Sequence, residues 1–190
     1  MQVYLGGEAE VRIYEDIVVK RRIPKRYRIK ELDEEIRVKR TRMEAKIISA
    51  ARRVGVPTPI VLDVEGDTIV MERVKGVVAR DCMSVELSRE IGRLLAKMHS
   101  ANIVHGDVTP ANIIVGDRVY FIDFGLAYFD TEVEPKGVDL HVYIESLKAG
   151  FDNWEKLAEA FVEGYLEAGG SEEVVERARE IDTRGRYVRR

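Results

Sequence analysis

Cysteine is nearly absent from this 190-residue chain: Cys82 stands alone, so no intrachain disulfide can form, which fits a reducing compartment. Long apolar runs are missing too. Charges break every hydrophobic stretch, so none can span a bilayer, and the N-terminus lacks the apolar core of a signal peptide. A cytoplasmic protein with no membrane contact is the expectation. There is no internal repeat and no low-complexity tract. Of the three histidines, His99 and His141 have no partner at metal-ligand spacing and read as packing or surface residues. What is present is ample for a core: 45% of residues are hydrophobic, enough for one domain or a small two-lobed one.

The formal net charge of −3 hides an uneven distribution. Between Lys20 and Arg42 there are 11 basic and 4 acidic residues, and from Arg177 to Arg190 there are 6 arginines against Glu180 and Asp182. Two basic segments on an acidic body suit a polyanion such as RNA, because local charge density governs attraction to phosphate. A solvated helix face plus a frayed tail would leave the same pattern.

Periodicity divides the chain near residues 72 to 76. Before that point, "VYLGGEAEVRIYEDIVVK" predicts three short antiparallel strands. Leu32, Ile36, Met43, Ile47, Ile48 and Ala51 fall at mostly helical spacing between Glu31 and Val54. A hairpin follows, from Ile60 to Val64 and Thr68 to Met71. After it, helical patterns dominate, over Ser84 to Asn102, Asp139 to Ala149 and Trp154 to Ala168, interrupted by a hairpin turned at Gly116-Asp117.

That second hairpin lies inside "HGDVTPANIIVGDRVYFIDFG", residues 105 to 125. A hairpin brings its ends together, so Asn112 and Asp123 are expected at one rim, with Asp107 on the loop leading in. Oxygen donors of this kind suit a hard cation such as Mg²⁺, whose remaining ligands come from phosphate and water.

His105, Asp107 and Asn112 resemble the catalytic loop of protein kinases, and Asp123-Phe124-Gly125 resembles the metal-binding triplet that follows it. Departures are equally visible. Gly106 stands where kinases carry an arginine that reads a phosphorylated loop, no Ala-Pro-Glu follows Gly125, and Thr109 stands where many have a lysine. With "VVKRRIPKRYRIKELD" (18 to 33), "RTRMEAKIISAARRVGVPTP" (40 to 59), "PKGVDLHVYIES" (135 to 146) and "RGRYVRR" (184 to 190), the chain resembles one family over nearly its whole length. That family is the small atypical kinase/ATPase subunit of the KEOPS complex, related to RIO kinases.

The resemblance implies an α+β, reduced two-lobed protein-kinase-like fold. Residues 1–74 would form a small lobe with an antiparallel sheet and one long helix, 75–183 a mostly helical lobe and 184–190 a basic tail. ATP and Mg²⁺ are the implied cofactors. Asp107 would orient or deprotonate the incoming hydroxyl, and Asn112 and Asp123 would hold the metal. Lys20, fixed by Glu44, would neutralise phosphate charge beneath the reduced phosphate loop at Gly6 and Gly7. Glu72 and Val74 would meet adenine through the linker, His105 would brace the loop, and Asp139 would cap a helix and tether that loop.

The implied activity is phosphorylation of serine or threonine, or ATP hydrolysis. It would take place beside a threonylcarbamoyl-transferase subunit and other KEOPS-type subunits in tRNA modification, with a tRNA contact through the basic segments. A small-molecule phosphotransferase of the aminoglycoside type, and a non-catalytic RNA-binding scaffold, are the alternatives.

Overall fold

The computed structural model describes residues 2–187, with side chains as far as Thr183. Five antiparallel strands open the chain: β1 (Gln2–Leu5), β2 (Ala9–Ile13), β3 (Ile17–Arg22), β4 (Val61–Glu65) and β5 (Thr68–Glu72), in the spatial order β1-β2-β3-β5-β4. The β-branched run at the start of β3 suits its central place, where both edges are paired. The helix α1 (Lys30–Arg53) lies between β3 and β4 in sequence and packs on β4 and β5.

The helix agrees with the expected span, but its inner face differs from the apolar reading. Leu32 is 50% exposed and Met43 37%, whereas Asp33, Thr41 and Glu44 are buried. Only the last turns, through Ile47, Ile48 and Ala51, enter the apolar core. The first half of the helix therefore faces a buried ionic network, which hydrophobic periodicity cannot register.

Beyond Glu72 the short strand β6 (Val77–Val78) pairs with β8 (Ile113–Val115), which pairs with β9 (Val119–Phe121). Between them come α2 (Val85–Ser100) and β7 (Ile103–Val104), and β7 later pairs with β10 (Tyr128–Phe129). Ser84 caps α2 by accepting a hydrogen bond from the Leu87 N–H at 3.1 Å. Three more helices follow: α3 (Val133–Gly150), α4 (Trp154–Glu167) and α5 (Glu172–Tyr187). Helix α2 packs on α4, and α3 on α5.

Helix α3 starts six residues before the expected Asp139, with Pro135 in its first turn, where proline costs no hydrogen bond. Asp139 therefore lies inside the helix and does not cap it. Helix α5 was not anticipated, and its backbone runs across the expected boundary at 183/184. The side chains of the expected tail lie outside the described residues. A single apolar cluster joins the two halves, from Ile47, Ile69 and Met71 through Phe121 and Phe124 to Leu140 and Phe161. No helix among the described residues is long and apolar enough to cross a membrane.

Candidate active site

Lys20 projects from β3 into the interior, where its side chain is only 9% exposed. Its Nζ donates to Glu44 Oε1 at 2.6 Å and to Asp123 Oδ1 at 2.5 Å. These contacts bridge residues 24 and 103 positions apart, joining the sheet, α1 and the segment after β9. Burial alone would lower the Lys20 ammonium, but the two carboxylates outweigh it and hold the group above its ordinary value. Burial would likewise raise the Asp123 carboxyl, yet the charge of Lys20 and its hydrogen bond hold it below the usual range. Both groups are thus kept charged.

Asp123 has φ 58°, in the left-handed region, which aspartate tolerates better than most residues. It shares an open cleft of about 340 Å³ with Lys20, Asp107, Gly6, Gly7 and Gly125. Asn112 is tied to this group through Asp107: its Nδ2 donates to the Asp107 main-chain oxygen at 3.0 Å and to Oδ2 at 2.8 Å. The Ile122 N–H donates to the Asn112 carbonyl at 2.9 Å, so the two ends of the β8-β9 hairpin do meet. Asn112 itself does not line the cleft.

The loop carrying Asp107 is anchored from below by Asp139, which is 1% exposed. Asp139 Oδ2 accepts the His105 N–H at 2.7 Å, and Oδ1 accepts the Gly106 N–H at 2.8 Å. Gly106 has φ +80°, and a Cβ there would sit 2.7 Å from the Leu126 carbonyl oxygen. Only glycine fits, which accounts for the missing arginine at this position. His105 is fully buried, packs on Phe121 and Phe124, and its Nε2 is 3.2 Å from the Ile122 carbonyl oxygen. Burial lowers its pKa from the ordinary 6.5, which favours the neutral ring.

Gly6 and Gly7 line the mouth of the cleft. A side chain at Gly7 would meet nothing within 4 Å, so the protein's own packing does not demand glycine there. Neither Glu72 nor Val74 lines this cleft. Glu72 is engaged at the end of β5, donating its N–H to the Ile60 carbonyl at 2.8 Å and accepting the Ile60 N–H on Oε2 at 3.1 Å.

Three features escaped sequence reasoning. Arg22 and Arg40 also line the cleft; Arg22 Nη2 donates to Glu44 Oε2 at 2.7 Å, and Arg40 Nη1 to Glu8 Oε2 at 2.7 Å. Arg22 lies two residues beyond Lys20, the spacing of one strand face, and Arg40 lies four before Glu44, the spacing of one helix face. The third feature is His99, which is buried with one ring nitrogen 3.2 Å from Asp139 Oδ2 and the other 2.9 Å from the Tyr165 hydroxyl. It is a buttress of the loop anchor. His141, expected to be partnerless, comes within 4.8 Å of Glu145 and Asp182. Lys148 already bridges those two carboxylates at 2.7 and 2.8 Å, so an ammonium holds the place a cation would take.

The donors around Asp123 fit a hard divalent cation. Carboxylates at Asp107 and Asp123 and the amide of Asn112 are all oxygen ligands, with no thiolate or imidazole among them. The Asn112 amide directs its N–H₂ at Asp107, which leaves its oxygen as the acceptor.

Residues 9–133 match the model of the RIO domain. Over its full length the chain is 70% identical to the probable serine/threonine-protein kinase BUD32 homolog of Archaeoglobus fulgidus, 98% of which is aligned. It is 48% identical over 185 residues to the probable bifunctional tRNA threonylcarbamoyladenosine biosynthesis protein of Methanoculleus marisnigri, spanning 96% of this chain and 35% of that protein. Among solved structures, the Rio2 kinase–ADP/Mg²⁺–phosphoaspartate complex of Chaetomium thermophilum superposes with a TM-score of 0.67 at 16% identity, over all of this chain and 71% of that one. Macrolide 2′-phosphotransferase MphH of Brachybacterium faecium gives 0.61, also at 16% identity, over 95% and 81%. At that identity the two structures establish the fold alone, and the sequence matches go further: the chain belongs to the RIO-domain family.

Proposed function

We propose that the protein is an ATP- and Mg²⁺-dependent phosphotransferase of the atypical serine/threonine kinase type, acting in threonylcarbamoyladenosine modification of tRNA. The observation that carries this reading is the buried Lys20 held between Glu44 and Asp123 at the floor of a cleft that also holds Asp107. The relatives named as a probable kinase and as tRNA threonylcarbamoyladenosine biosynthesis proteins support the substrate class and the pathway. The division into a small lobe at 1–74, a helical lobe at 75–183 and a tail at 184–190 belongs to the same proposal.

Lys20 neutralises phosphate charge, and Glu44 fixes its direction. A polyphosphate entering beneath Gly6 and Gly7 offers Lys20 a new partner and frees the Asp123 carboxylate, which together with Asn112 would hold Mg²⁺. When bound, Mg²⁺ neutralises charge on the β- and γ-phosphate oxygens. Asp107 accepts the proton of the attacking hydroxyl, or of water, as that oxygen bonds the γ-phosphorus and the bond to the β–γ bridging oxygen breaks, releasing ADP. Asp139 keeps Asp107 in place by holding the two N–H groups before it. Main-chain groups of Glu72 and Val74 would receive adenine at the far end.

The partner is a threonylcarbamoyl-transferase subunit within a KEOPS-type assembly. In the bifunctional relatives the matching segment is 35% of a longer protein, as expected when two activities work side by side. A tRNA contact would rest on the exposed Arg26, Lys30, Lys39 and Arg42, which have no ion pair among the described residues. Asp123→Ala is expected to abolish Mg²⁺-dependent ATP turnover in the purified protein, with and without the transferase subunit. Turnover at the wild-type rate would remove Asp123 from the site. Preferential phosphorylation of a sugar or antibiotic hydroxyl would favour a small-molecule phosphotransferase.

A further inference from the structure

Lys20 is not the only buried cation at the floor of the cleft. Arg22, 4% exposed, stands two residues further along β3 and lines the same cavity. One carboxylate serves both: Glu44 gives Oε1 to Lys20 and Oε2 to Arg22. Once Asp123 leaves Lys20, a single buried anion faces two buried cations, an imbalance that an anionic ligand relieves. Arg22 Nε is buried and has no hydrogen-bond partner among the described residues. A buried donor left unpaired is costly, and it is retained where a ligand or water completes it.

Strand register shows which part of an extended ligand Arg22 would meet. Ile17 at the start of β3 lies opposite Glu72, beside the linker, whereas Arg22 at its end lies opposite Ala9, just past the glycine turn. Moving from Lys20 to Arg22 is a step of about 6.6 Å away from the linker and toward that turn. A nucleotide with adenine at the linker and phosphates at the turn therefore passes Lys20 first and Arg22 afterwards. The space between the cations is open because residue 125 is glycine: a Cβ there would lie 3.1 Å from Lys20 Nζ and 3.8 Å from Arg22 Nη2.

We propose that Arg22 binds the terminal phosphate of the nucleoside triphosphate and makes the cleft distinguish tri- from diphosphate. This rests on the reading of the cleft as a nucleotide site. A guanidinium held at one corner by Glu44 keeps its other N–H groups for phosphate oxygens, which a planar fork suits better than an ammonium does. It would supply in cis the cation that the catalytic loop lacks at Thr109.

The test is calorimetric titration of purified wild type, Arg22→Gln and Arg22→Lys with a non-hydrolysable ATP analogue and with ADP, each with Mg²⁺. Arg22→Gln is expected to weaken the triphosphate by about tenfold or more, and ADP by less than about threefold. Arg22→Lys keeps a charge beside Glu44, guards against a failure of the glutamine variant to fold, and is expected to show the same selective loss. Equal weakening of both nucleotides would mean that Arg22 merely holds Glu44 and Lys20, and would overturn the proposal, as would an unchanged triphosphate affinity. Wild type that binds neither nucleotide would instead sink the nucleotide reading of the cleft, and Arg22's role with it.

Discussion

Glu44→Gln isolates the interaction on which the cleft depends. Glu44 is 2% exposed and supplies one oxygen to Lys20 and the other to Arg22, both nearly as buried. Glutamine keeps the shape and one acceptor, but it removes the charge and turns an N–H₂ toward one of the cations. Breaking one partner out of a buried pair costs about 3–5 kcal/mol, and Asp123 still offsets Lys20, so the lower end, about 3 kcal/mol, applies. For a chain of this size each kcal/mol lowers Tm by about 2–4 °C, giving a fall of roughly 6–12 °C. Urea denaturation of wild type, Glu44→Gln, Arg22→Met and the double variant closes a thermodynamic cycle. The double variant is expected to be more stable than the sum of the single losses by about 1–3 kcal/mol, because removing Arg22 also removes an unmatched charge. A Glu44→Gln loss below about 0.5 kcal/mol, or strict additivity, would refute the shared-carboxylate account.

Gly106→Ala must place a Cβ 2.7 Å from the Leu126 carbonyl at φ +80°, so a loss of about 1–3 kcal/mol is expected in urea melts, and wild-type stability would contradict the close approach. Asp139→Asn leaves one carbonyl oxygen where two carboxylate oxygens took the His105 and Gly106 N–H groups. Turnover is expected to drop at least about tenfold with nucleotide affinity nearly unchanged, since the loop holds Asp107 and not the phosphates; parallel loss of both would show a wider collapse. His105 has a folded-state pKa below its ordinary 6.5. The unfolded chain therefore takes up the proton first, so this contribution to stability is full above about pH 6.5 and is lost as pH falls through the lower, folded value. His105→Asn should flatten the pH dependence of unfolding between pH 7.5 and 5, and an unchanged slope would assign the dependence to other groups.

Local chemistry was legible in the sequence to the extent that it was contiguous. The hairpin at Gly116-Asp117, the loop from His105 to Asn112 and helix α2, which stops two residues short of the expected Asn102, are legible because period and turn residues lie within a few positions of one another. Helix α5 was missed because its stretch is dominated by charge, and its buried Val174, Val175 and Ala178 make only a thin apolar stripe. Leu32 and Met43 follow the helical period but stay exposed, because the interior beneath that half of α1 is ionic, with Asp33, Thr41 and Glu44 buried. Arg22 illustrates the same limit at the site. Its spacing from Lys20 was available as a strand-face signal, but nothing local says that both cations turn inward to a glutamate on α1. Histidine spacing likewise gave no hint that His99 and Tyr165 brace Asp139, since those partners lie 40 and 66 residues away.

The charge run from Lys20 to Arg42 shows what this costs a sequence-only argument about partners. As a string it is a basic stripe suited to a polyanion. In the fold, Lys20 and Arg22 face Glu44, Arg37 reaches both Asp33 and Asp67, Arg28 joins Asp33, Arg21 joins Asp67, and Lys25 and Arg40 hold Glu8. Most of the excess is answered internally, by acids brought from the β1-β2 turn, α1 and the β4-β5 turn. Only Arg26, Lys30, Lys39 and Arg42 remain exposed without such a partner among the described residues. If tRNA binds through this segment, the slope of log affinity against log salt attributable to it should correspond to about four phosphate contacts and not eleven. Charge reversal at Lys39 and Arg42 should lower affinity with Mg²⁺–ATP binding unchanged. An undiminished affinity in that double variant would remove Lys39 and Arg42 from the RNA contact and leave only Arg26 and Lys30, at and before the first turn of α1, to carry it.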